Sequence, residues 1–265
     1  MNAKRFWALL LSIFLVIPTF GCAKRWDTLS AREQSLLNRV LLHWETWMPQ
    51  KKKEGKAPLI TFDELYQGLN GEERQFLDRV RLINPQKSFG FQGNYQGESS
   101  EAVRFKRLHK QKIRKKGKTE SLDPQYLPEK VYKDYKKMMK AMKKGIGKEL
   151  LVESGYRSPT YQLYTFLYYL PKHGYCLKET GHWVALPGYS EHGAPERQAI
   201  DFINEEGING EDNAEEFERL PEYEWLLIRA KEFGFELSYP RGQKGITFEP
   251  WHWRWTRGIT RTEGG

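Results

Sequence analysis

The sequence predicts an α+β protein in which a helical N-terminal region precedes a half built from short strands and helices. Apolar residues recur at helical spacing through the first third of the chain. After Gly145 the pattern changes to short apolar runs separated by Gly and Pro, as expected for strands and turns between helices. With 265 residues, 39% of them hydrophobic and 14% aromatic, the chain can bury a sizeable core.

Residues 1–22 are predicted to be an export signal. Lys4 and Arg5 form a basic start, and Phe6 to Ile17 is an apolar stretch of 12 residues, too short to span a bilayer comfortably. Cleavage just before Cys22 would resemble the processing of a bacterial lipoprotein. The prediction is therefore an exported, membrane-anchored lipoprotein on the periplasmic side of the cell envelope. An ordinary secretory signal and an uncleaved anchor are the alternatives.

Residues 23–125 are predicted to form a helical N-terminal region with a basic segment. Leu29 to Trp47 carries apolar residues at helical spacing, with Ser30 as the cap, and Met48-Pro49 ends that helix. A second helical pair is predicted between Thr61 and Ile83. The segments predicted to be irregular are residues 50–58 and 84–100.

Residues 101–148 are strongly basic, with 17 Lys or Arg against 5 Asp or Glu. This segment contributes +12 to a formal net charge of +9, so the rest of the chain carries −3. Residues 101–118 are predicted to form a basic amphipathic helix or a disordered arm, and residues 131–144 a Lys-rich helix. The charge favours an anionic partner. Behind an export signal, membrane headgroups or an anionic envelope fit better than nucleic acid; a solvated helix face with a linker is the simpler alternative.

The C-terminal half contains four predictable elements. The stretch "KELLVESGYR" predicts a strand and a turn, and Ser158-Pro159 predicts the start of a helix through Leu170. The stretch "PEYEWLLIRAKEFGF" predicts a helix that ends at Gly234. The stretch "KGITFEPWHWRW" predicts a strand with a kink at Pro250.

The chain has no CxxC pair of the kind that binds zinc. If Cys22 carries a lipid, Cys176 is left without an intramolecular partner and is predicted to be a small core residue. His173 and His182, on either side of it, are predicted to be loop or surface residues. The cluster of methionines is predicted to belong to the core: Met138, Met139 and Met142.

Asp201 lies within the apolar run "AIDFI", where a carboxylate needs compensation. An unpaired buried carboxylate lowers the stability of a protein by roughly several kcal/mol. Pairing with Arg197 or Arg254 would satisfy it, and so would a metal ion.

A catalytic zinc site needs about three protein ligands, an open position for water, and a nearby carboxylate as base. The C-terminal half offers His192, Asp201 and His252 as ligands and Glu249 as the base. Residues i and i+3 of a regular strand face opposite sides, so the backbone must bend between Glu249 and His252, and Pro250 can mark that bend. Aromatic neighbours would exclude water and wall the site: Trp251, Trp253 and Trp255.

Several ordered motifs in residues 150–257 carry a family resemblance. The stretches "ESGYRSPTYQ", "LPGYSEHG", "QAIDF", "WLLIRAKEFGFELSYP" and "FEPWHWRW" follow one another along the chain. They resemble the VanY-type D-alanyl-D-alanine carboxypeptidases, zinc peptidases that cut peptidoglycan stems. That family carries S-G-Y-R-S, then S-x-H-x-x-G-x-A-x-D, then E-P-W-H-x-R in the same order.

The resemblance implies roles for individual residues. His192, Asp201 and His252 are implied as zinc ligands, Glu249 as the base that activates the zinc-bound water, and Arg157 as the residue that contacts the substrate and stabilises charge in the transition state. Substrate-binding positions are implied at Ser190, Gln162, Tyr156 and Trp251.

One departure from the family pattern concerns the loop between two of the implied ligands. Eight residues separate His192 from Asp201 where the pattern has six, and Arg197 replaces a glycine. The surplus Pro195 and Glu196 are expected to bulge outward and leave both ends in place. A degenerate site that no longer binds metal is the alternative.

The resemblance implies a fold in which a small antiparallel sheet with flanking helices holds the zinc site, with residues 126–260 as the peptidase domain. The expected function is a zinc-dependent peptidoglycan peptidase, foremost a D-alanyl-D-alanine carboxypeptidase acting on stem peptides, with no nucleic-acid partner. The alternatives are an L,D-carboxypeptidase, a peptidoglycan endopeptidase and a non-catalytic cell-wall-binding lipoprotein.

Overall fold

The computed structural model describes residues 27–96, 103–210, 213–242 and 247–257. The predicted export signal and Cys22 lie outside these ranges. Within them, none of the helices has the length and apolar character needed to cross a membrane.

The first part of the N-terminal region, residues 31–89, is helical as predicted. The side chains of Ser30, Thr61 and Asn70 each accept a hydrogen bond from the first turn of the helix that follows, in complete capping boxes. Pro49 does not only end the first helix; it lies in the first turn of the next one, where a missing N–H costs nothing. The helices are α1 (Ala31–Glu45), α2 (Met48–Lys53), α3 (Phe62–Tyr66), α4 (Gly71–Arg81) and α5 (Pro85–Phe89).

The basic segment contains strands, so the prediction of a helix or a disordered arm over residues 101–118 is wrong. Strands β1 (Phe105–Leu108) and β4 (Gln125–Pro128) pair antiparallel and enclose a hairpin of β2 (Lys112–Lys115) and β3 (Lys118–Ser121). Lys116 and Gly117 connect β2 to β3 with φ of 49° and 77°. Two consecutive positive φ values define the tight turn that matches the twist of paired strands.

The C-terminal half is built on one four-stranded sheet, which confirms the α+β prediction. The strands run antiparallel in the order β5, β6, β8, β7. The elements after β4 are α6 (Glu129–Ile146), β5 (Leu150–Ser154), α7 (Pro159–Tyr169), α8 (Leu177–Trp183), β6 (Ala199–Asn204), α9 (Ala214–Glu218), α10 (Pro221–Arg229), β7 (Phe235–Leu237) and β8 (His252–Trp255).

One face of this sheet packs against α6 and α10 and forms an apolar core. The three methionines of α6 are almost fully buried there, as predicted. Trp253 and Trp255 also belong to this core, and Trp255 donates a hydrogen bond from Nε1 to Asp134 at 3.1 Å. Since side chains alternate along a strand, the neighbours His252 and Arg254 point to the other face. The prediction that Trp253 and Trp255 wall the site is therefore wrong.

A second core joins the N-terminal helices to α7. Leu37, Val40 and Trp44 of α1 are buried with Phe166 and Leu167 of α7. The N-terminal region is thus packed against the half that carries the predicted site.

Cys176 is buried at the start of α8, where its sulfur accepts a hydrogen bond from the Glu179 backbone at 3.4 Å. Its burial confirms the prediction of a small core residue. It is also disulfide-bonded, which differs from the unpaired Cys176 expected if Cys22 carries a lipid.

Two leucines of α1 test the second core. Leu37→Ala should lower the free energy of unfolding by about 2–5 kcal/mol, because it removes a side chain that is fully buried between α1 and α7. Denaturant unfolding measures the change. Leu42 lies on the same helix and is 66% exposed, so Leu42→Ala should change it by about 0.5 kcal/mol or less. Equal effects of the two substitutions would contradict this packing.

Candidate metal centre

Strand pairing brings two of the predicted ligands together. Asp201 of β6 lies directly opposite His252 of β8, and residues paired in this way project from the same face of a sheet. The Asp201 Oδ1 atom lies 2.8 Å from Nδ1 of His252. The sheet register alone therefore fixes this half of the site.

The third predicted ligand comes from the turn before β6. The Ser190 hydroxyl accepts a hydrogen bond from the His192 backbone at 3.3 Å and starts a short 3-10 turn. His192 Nε2 lies 3.0 Å from Asp201 Oδ2. One ligand atom from each of His192, Asp201 and His252 can be chosen so that all lie within 4.8 Å of one another.

The two surplus residues between His192 and Asp201 do not disturb this geometry. A further 3-10 turn at Pro195–Arg197 accommodates them; Glu196 is exposed to solvent as expected, but Pro195 is buried and does not bulge outward. Both ends of the loop stay in place, as expected.

Each histidine is oriented by a hydrogen bond on the far side of its ring. Nδ1 of His192 lies 2.8 Å from the Gly155 carbonyl oxygen, which accepts only from an N–H. Nε2 of His252 lies 3.0 Å from Oε2 of Glu191. Protons on these outer nitrogens leave Nε2 of His192 and Nδ1 of His252 with lone pairs aimed at the same point. Outer partners of this kind orient metal-binding histidines in proteins.

Glu191 is the functional residue that sequence reasoning missed. It is 4% exposed, accepts a hydrogen bond from Ser238 at 2.6 Å and pairs with Arg254 at 3.2 Å. Burial opposes its ionised form, yet these partners and His252 lower the pKa of Glu191 to about 2. Its place directly before His192 in the S-x-H motif was the available signal.

The charges of the protein groups suit a cation at this point. Burial would raise the pKa of Asp201, but His192 and His252 hold it well below its usual range. Burial disfavours a charged His252, yet Asp201 and Glu191 raise its pKa to about 10. Burial lowers the pKa of His192 to about 4, and Arg157 adds to the effect. The negative charge of Asp201 thus stabilises a positive charge between the three side chains. A metal ion bound there would take the place of a proton.

Two imidazoles and one carboxylate are also the donor types that zinc takes in catalytic sites with an open fourth position. The residues present therefore fit a zinc ion.

Glu249 reaches the centre through the predicted bend. The His252 N–H donates to the Glu249 carbonyl at 3.1 Å and closes a turn that contains Pro250. Glu249 Oε2 then lies 3.9 Å from His252 Nδ1. Burial raises the pKa of Glu249 to about 7, although His252 opposes the shift. A carboxylate with such a pKa exchanges protons readily near neutral pH.

Arg157 is the cation that pairs with Asp201, in place of the Arg197 or Arg254 considered from the sequence. Its Nη2 lies 3.2 Å from Asp201 Oδ2, and its Nη1 lies 3.3 Å from the Gln162 side-chain oxygen. Gln162 is held in turn by the Ala185 carbonyl at 2.7 Å. The guanidinium is therefore fixed at the edge of the centre.

A cavity of about 790 Å³ opens onto these residues. Among the predicted substrate-binding residues, Ser190, Gln162 and Trp251 line it. Trp251 packs so closely on Gly210 that a Cβ there would lie 1.9 Å from the indole.

Tyr156 is the exception among the predicted substrate-binding residues. Its ring packs against Phe105 of β1 at 4.3 Å between centroids, and it does not line the cavity. The backbone of the S-G-Y-R-S turn sends Arg157 toward the centre and its neighbour Tyr156 away from it, so the structure does not support a substrate contact by Tyr156.

Comparison with known proteins identifies related sequences. A family model described as D-alanyl-D-alanine carboxypeptidase (VanY) matches residues 124–258. The YodJ protein of Bacillus subtilis is 29% identical over 179 residues, which cover 66% of this chain and 59% of YodJ. A D-alanyl-D-alanine carboxypeptidase of Enterococcus faecium is 30% identical over 134 residues, 49% of this chain and 37% of that protein. The chain thus spans about three fifths or less of the length of these relatives.

The solved structure of VanYB in complex with D-alanine-D-alanine is also similar, with 22% sequence identity and a TM-score of 0.45. The match covers 62% of this chain and 84% of that one.

Glu191 and Glu196 provide a matched pair for testing the outer partner of His252. Glu191→Ala should weaken zinc binding about 10–100-fold, because His252 would lose the acceptor that orients its ring. Competition with a chromogenic chelator measures the dissociation constant. Glu196→Ala, in the same loop but exposed, should leave it unchanged. Unaltered zinc affinity in a Glu191→Ala protein with a native circular dichroism spectrum would refute the assignment.

Proposed function

The chain belongs to the D-alanyl-D-alanine carboxypeptidase (VanY) family, and we propose from this that it is a zinc-dependent peptidase that removes terminal D-alanine from peptidoglycan stem peptides. One observation supports the proposal above the others. His192, Asp201 and His252 converge while the turn at Pro250 brings Glu249 beside them. This is the set of groups that metal-assisted hydrolysis of a peptide bond requires.

The roles of the ligands and the base follow from their geometry. His192, Asp201 and His252 would hold the ion, which when bound supplies an activated water and polarises the scissile carbonyl. Glu249, with a pKa near 7, would accept a proton from that water and deliver it to the leaving amine. Its position in the wall of the cavity supports this role.

Arg157 would stabilise negative charge on the substrate. It lines the cavity beside Asp201, and Ser154 and Gln162 hold its guanidinium in position. Fixed cationic donors at a water-poor site stabilise developing negative charge strongly. Either the oxyanion of the transition state or the terminal carboxylate of the substrate suits this position.

Substitutions of Glu249 and of His252 are expected to have different effects on zinc content and on turnover. Glu249→Ala should abolish D-alanine release while about one zinc per chain is retained, since Glu249 is assigned the proton transfer and not a ligand role. His252→Ala should lose both zinc and turnover, because it removes a ligand. Elemental analysis and D-alanine release from a stem pentapeptide measure the two properties.

Other outcomes would point to other functions. Loss of zinc from Glu249→Ala would mean that its role is wrongly assigned. Cleavage of a stem tetrapeptide in preference to the pentapeptide would indicate an L,D-carboxypeptidase. A wild-type protein without zinc that still binds cell-wall sacculi would indicate a non-catalytic binding protein.

We also propose that the protein is exported to the cell envelope. The basic start and the apolar stretch before Cys22 support export, and the disulfide at Cys176 supports an oxidising compartment. A lipid on Cys22 is a separate prediction, and it is incompatible with a disulfide within the chain. The chain has two cysteines, so a thioether at Cys22 would leave Cys176 with a free thiol.

Intact mass and thiol labelling of protein purified from membranes and from the periplasm test this. An anchored protein should carry the mass of a lipid and, after denaturation exposes Cys176, one reactive thiol per chain. A secreted protein should carry neither. Recovery of unprocessed protein in the cytoplasm alone would contradict export.

A further inference from the structure

The cavity that opens onto the metal centre is also lined by a row of tyrosines of α7, and we call this part of the cavity the arm. Tyr161, Tyr164 and Tyr168 all line it, and their rings stack in sequence at 5.6 Å and 5.9 Å between centroids. Their spacing of three and four residues places them on one face of the helix. Seven residues of α-helix extend about 10 Å. The arm therefore leads about 10 Å along α7 from the end nearest Arg157.

Lys52 of α2 reaches over this row of rings. Its Nζ lies 5.3 Å from the ring centre of Tyr164 and 5.6 Å from that of Tyr168, within the range of a cation–π contact. Lys52 lines the cavity, whereas the preceding Lys51 pairs with Glu64 at 2.5 Å. Among the described residues, no carboxylate lies within 4 Å of Lys52. The ammonium group thus meets aromatic faces without a directly paired carboxylate among the described residues, although Asp123 also lines the cavity.

Burial and a neighbouring cation disfavour the charged form of Lys52, so a bound anion would stabilise it. Partial burial lowers its pKa, and repulsion from Lys172 acts in the same direction, while Asp123 only partly offsets them. Lys172 itself lies over Tyr168 and Tyr169 at 4.8 Å and 4.4 Å. Lys172 does not line the cavity, whereas Lys52 faces the row of tyrosines from within it. A carboxylate that entered there would compensate a partly desolvated ammonium and add a charge-assisted hydrogen bond.

Building on the proposed peptidase function, we propose that Lys52 binds a free carboxylate of the substrate peptide on the amino side of the scissile bond. An extended peptide advances about 3.3–3.6 Å per residue, so the 10 Å arm accommodates two or three residues. The substrate class is then an acidic stem peptide, with its carboxylate two or three residues before the bond that is cut. The N-terminal helical region would thereby contribute directly to specificity.

The test compares two pentapeptides ending in D-Ala-D-Ala that differ in one group, a free α-carboxylate or a carboxamide on the D-glutamyl residue three positions before the scissile bond. Zinc-loaded Glu249→Ala protein prevents turnover, and isothermal titration gives the dissociation constants. The carboxylate peptide should bind about tenfold more tightly than the amide. Higher salt should reduce this preference.

Variants at Lys52 separate its charge from its packing. Adding Lys52→Met should reduce the preference to about one, whereas Lys52→Arg should retain most of it. Lys53 is exposed on the same helix and does not line the cavity, so Lys53→Met should keep the full preference. A preference that survives Lys52→Met, or equal binding of both peptides by the parent protein, would overturn the proposal. So would failure of both peptides to bind.

D-alanine release by protein without the Glu249→Ala substitution distinguishes failure of the Lys52 subsite from failure of the proposed peptidase function. Release from both peptides at equal efficiency would retain the peptidase function and reject the Lys52 subsite. Selective binding of the carboxylate peptide without D-alanine release would retain the subsite and reject the catalytic assignment.

Discussion

The buried carboxylate of Asp201 is the constraint on which the rest of the site depends. It is 9% exposed in a strand whose other residues are all buried. Its Oδ1 contacts His252, and its Oδ2 contacts both His192 and Arg157. An uncompensated carboxylate costs roughly several kcal/mol in such surroundings. The contacts of Asp201 therefore constrain the positions of β6, β8 and the turn before β6 relative to one another. An unpaired Asp201 would destabilise this apolar strand. Its contacts instead hold two histidines and one arginine around the carboxylate.

Helix α7 connects the centre to the N-terminal region. One side of the helix packs into the core formed with α1, and its first turn carries Gln162, which holds Arg157. Its row of tyrosines forms a wall of the cavity opposite Lys52 of α2. The N-terminal helices therefore do two jobs: they stabilise α7 and they complete the cavity. A change in their packing would therefore alter both the position of Arg157 and the wall of the cavity near Lys52.

Sequence reasoning succeeded where the signal was local. Capping residues located the starts of α1 and α7, and Pro250 located the bend between Glu249 and His252. It failed where the outcome depended on partners distant in sequence. The basic charge of β1 to β3 resembled a solvated helix, yet strand pairing and the Lys116-Gly117 turn made it a set of strands. Tyr156 shares a motif with Arg157 but packs on β1.

The sequence by itself determined the fold class and the caps of α1 and α7, and it led to the proposal of His192, Asp201 and His252 as ligands and Glu249 as the base. The caps follow from residue chemistry, whereas the four site residues follow from the family resemblance together with the need to compensate a carboxylate in an apolar run. Only the tertiary structure decided how the ligands are held. The pairing of β6 with β8, the approach of Glu191 to His252 and the reach of Lys52 over α7 join residues 51 to 116 positions apart. Contacts over such separations are set by packing of whole elements, which no local pattern of residues encodes.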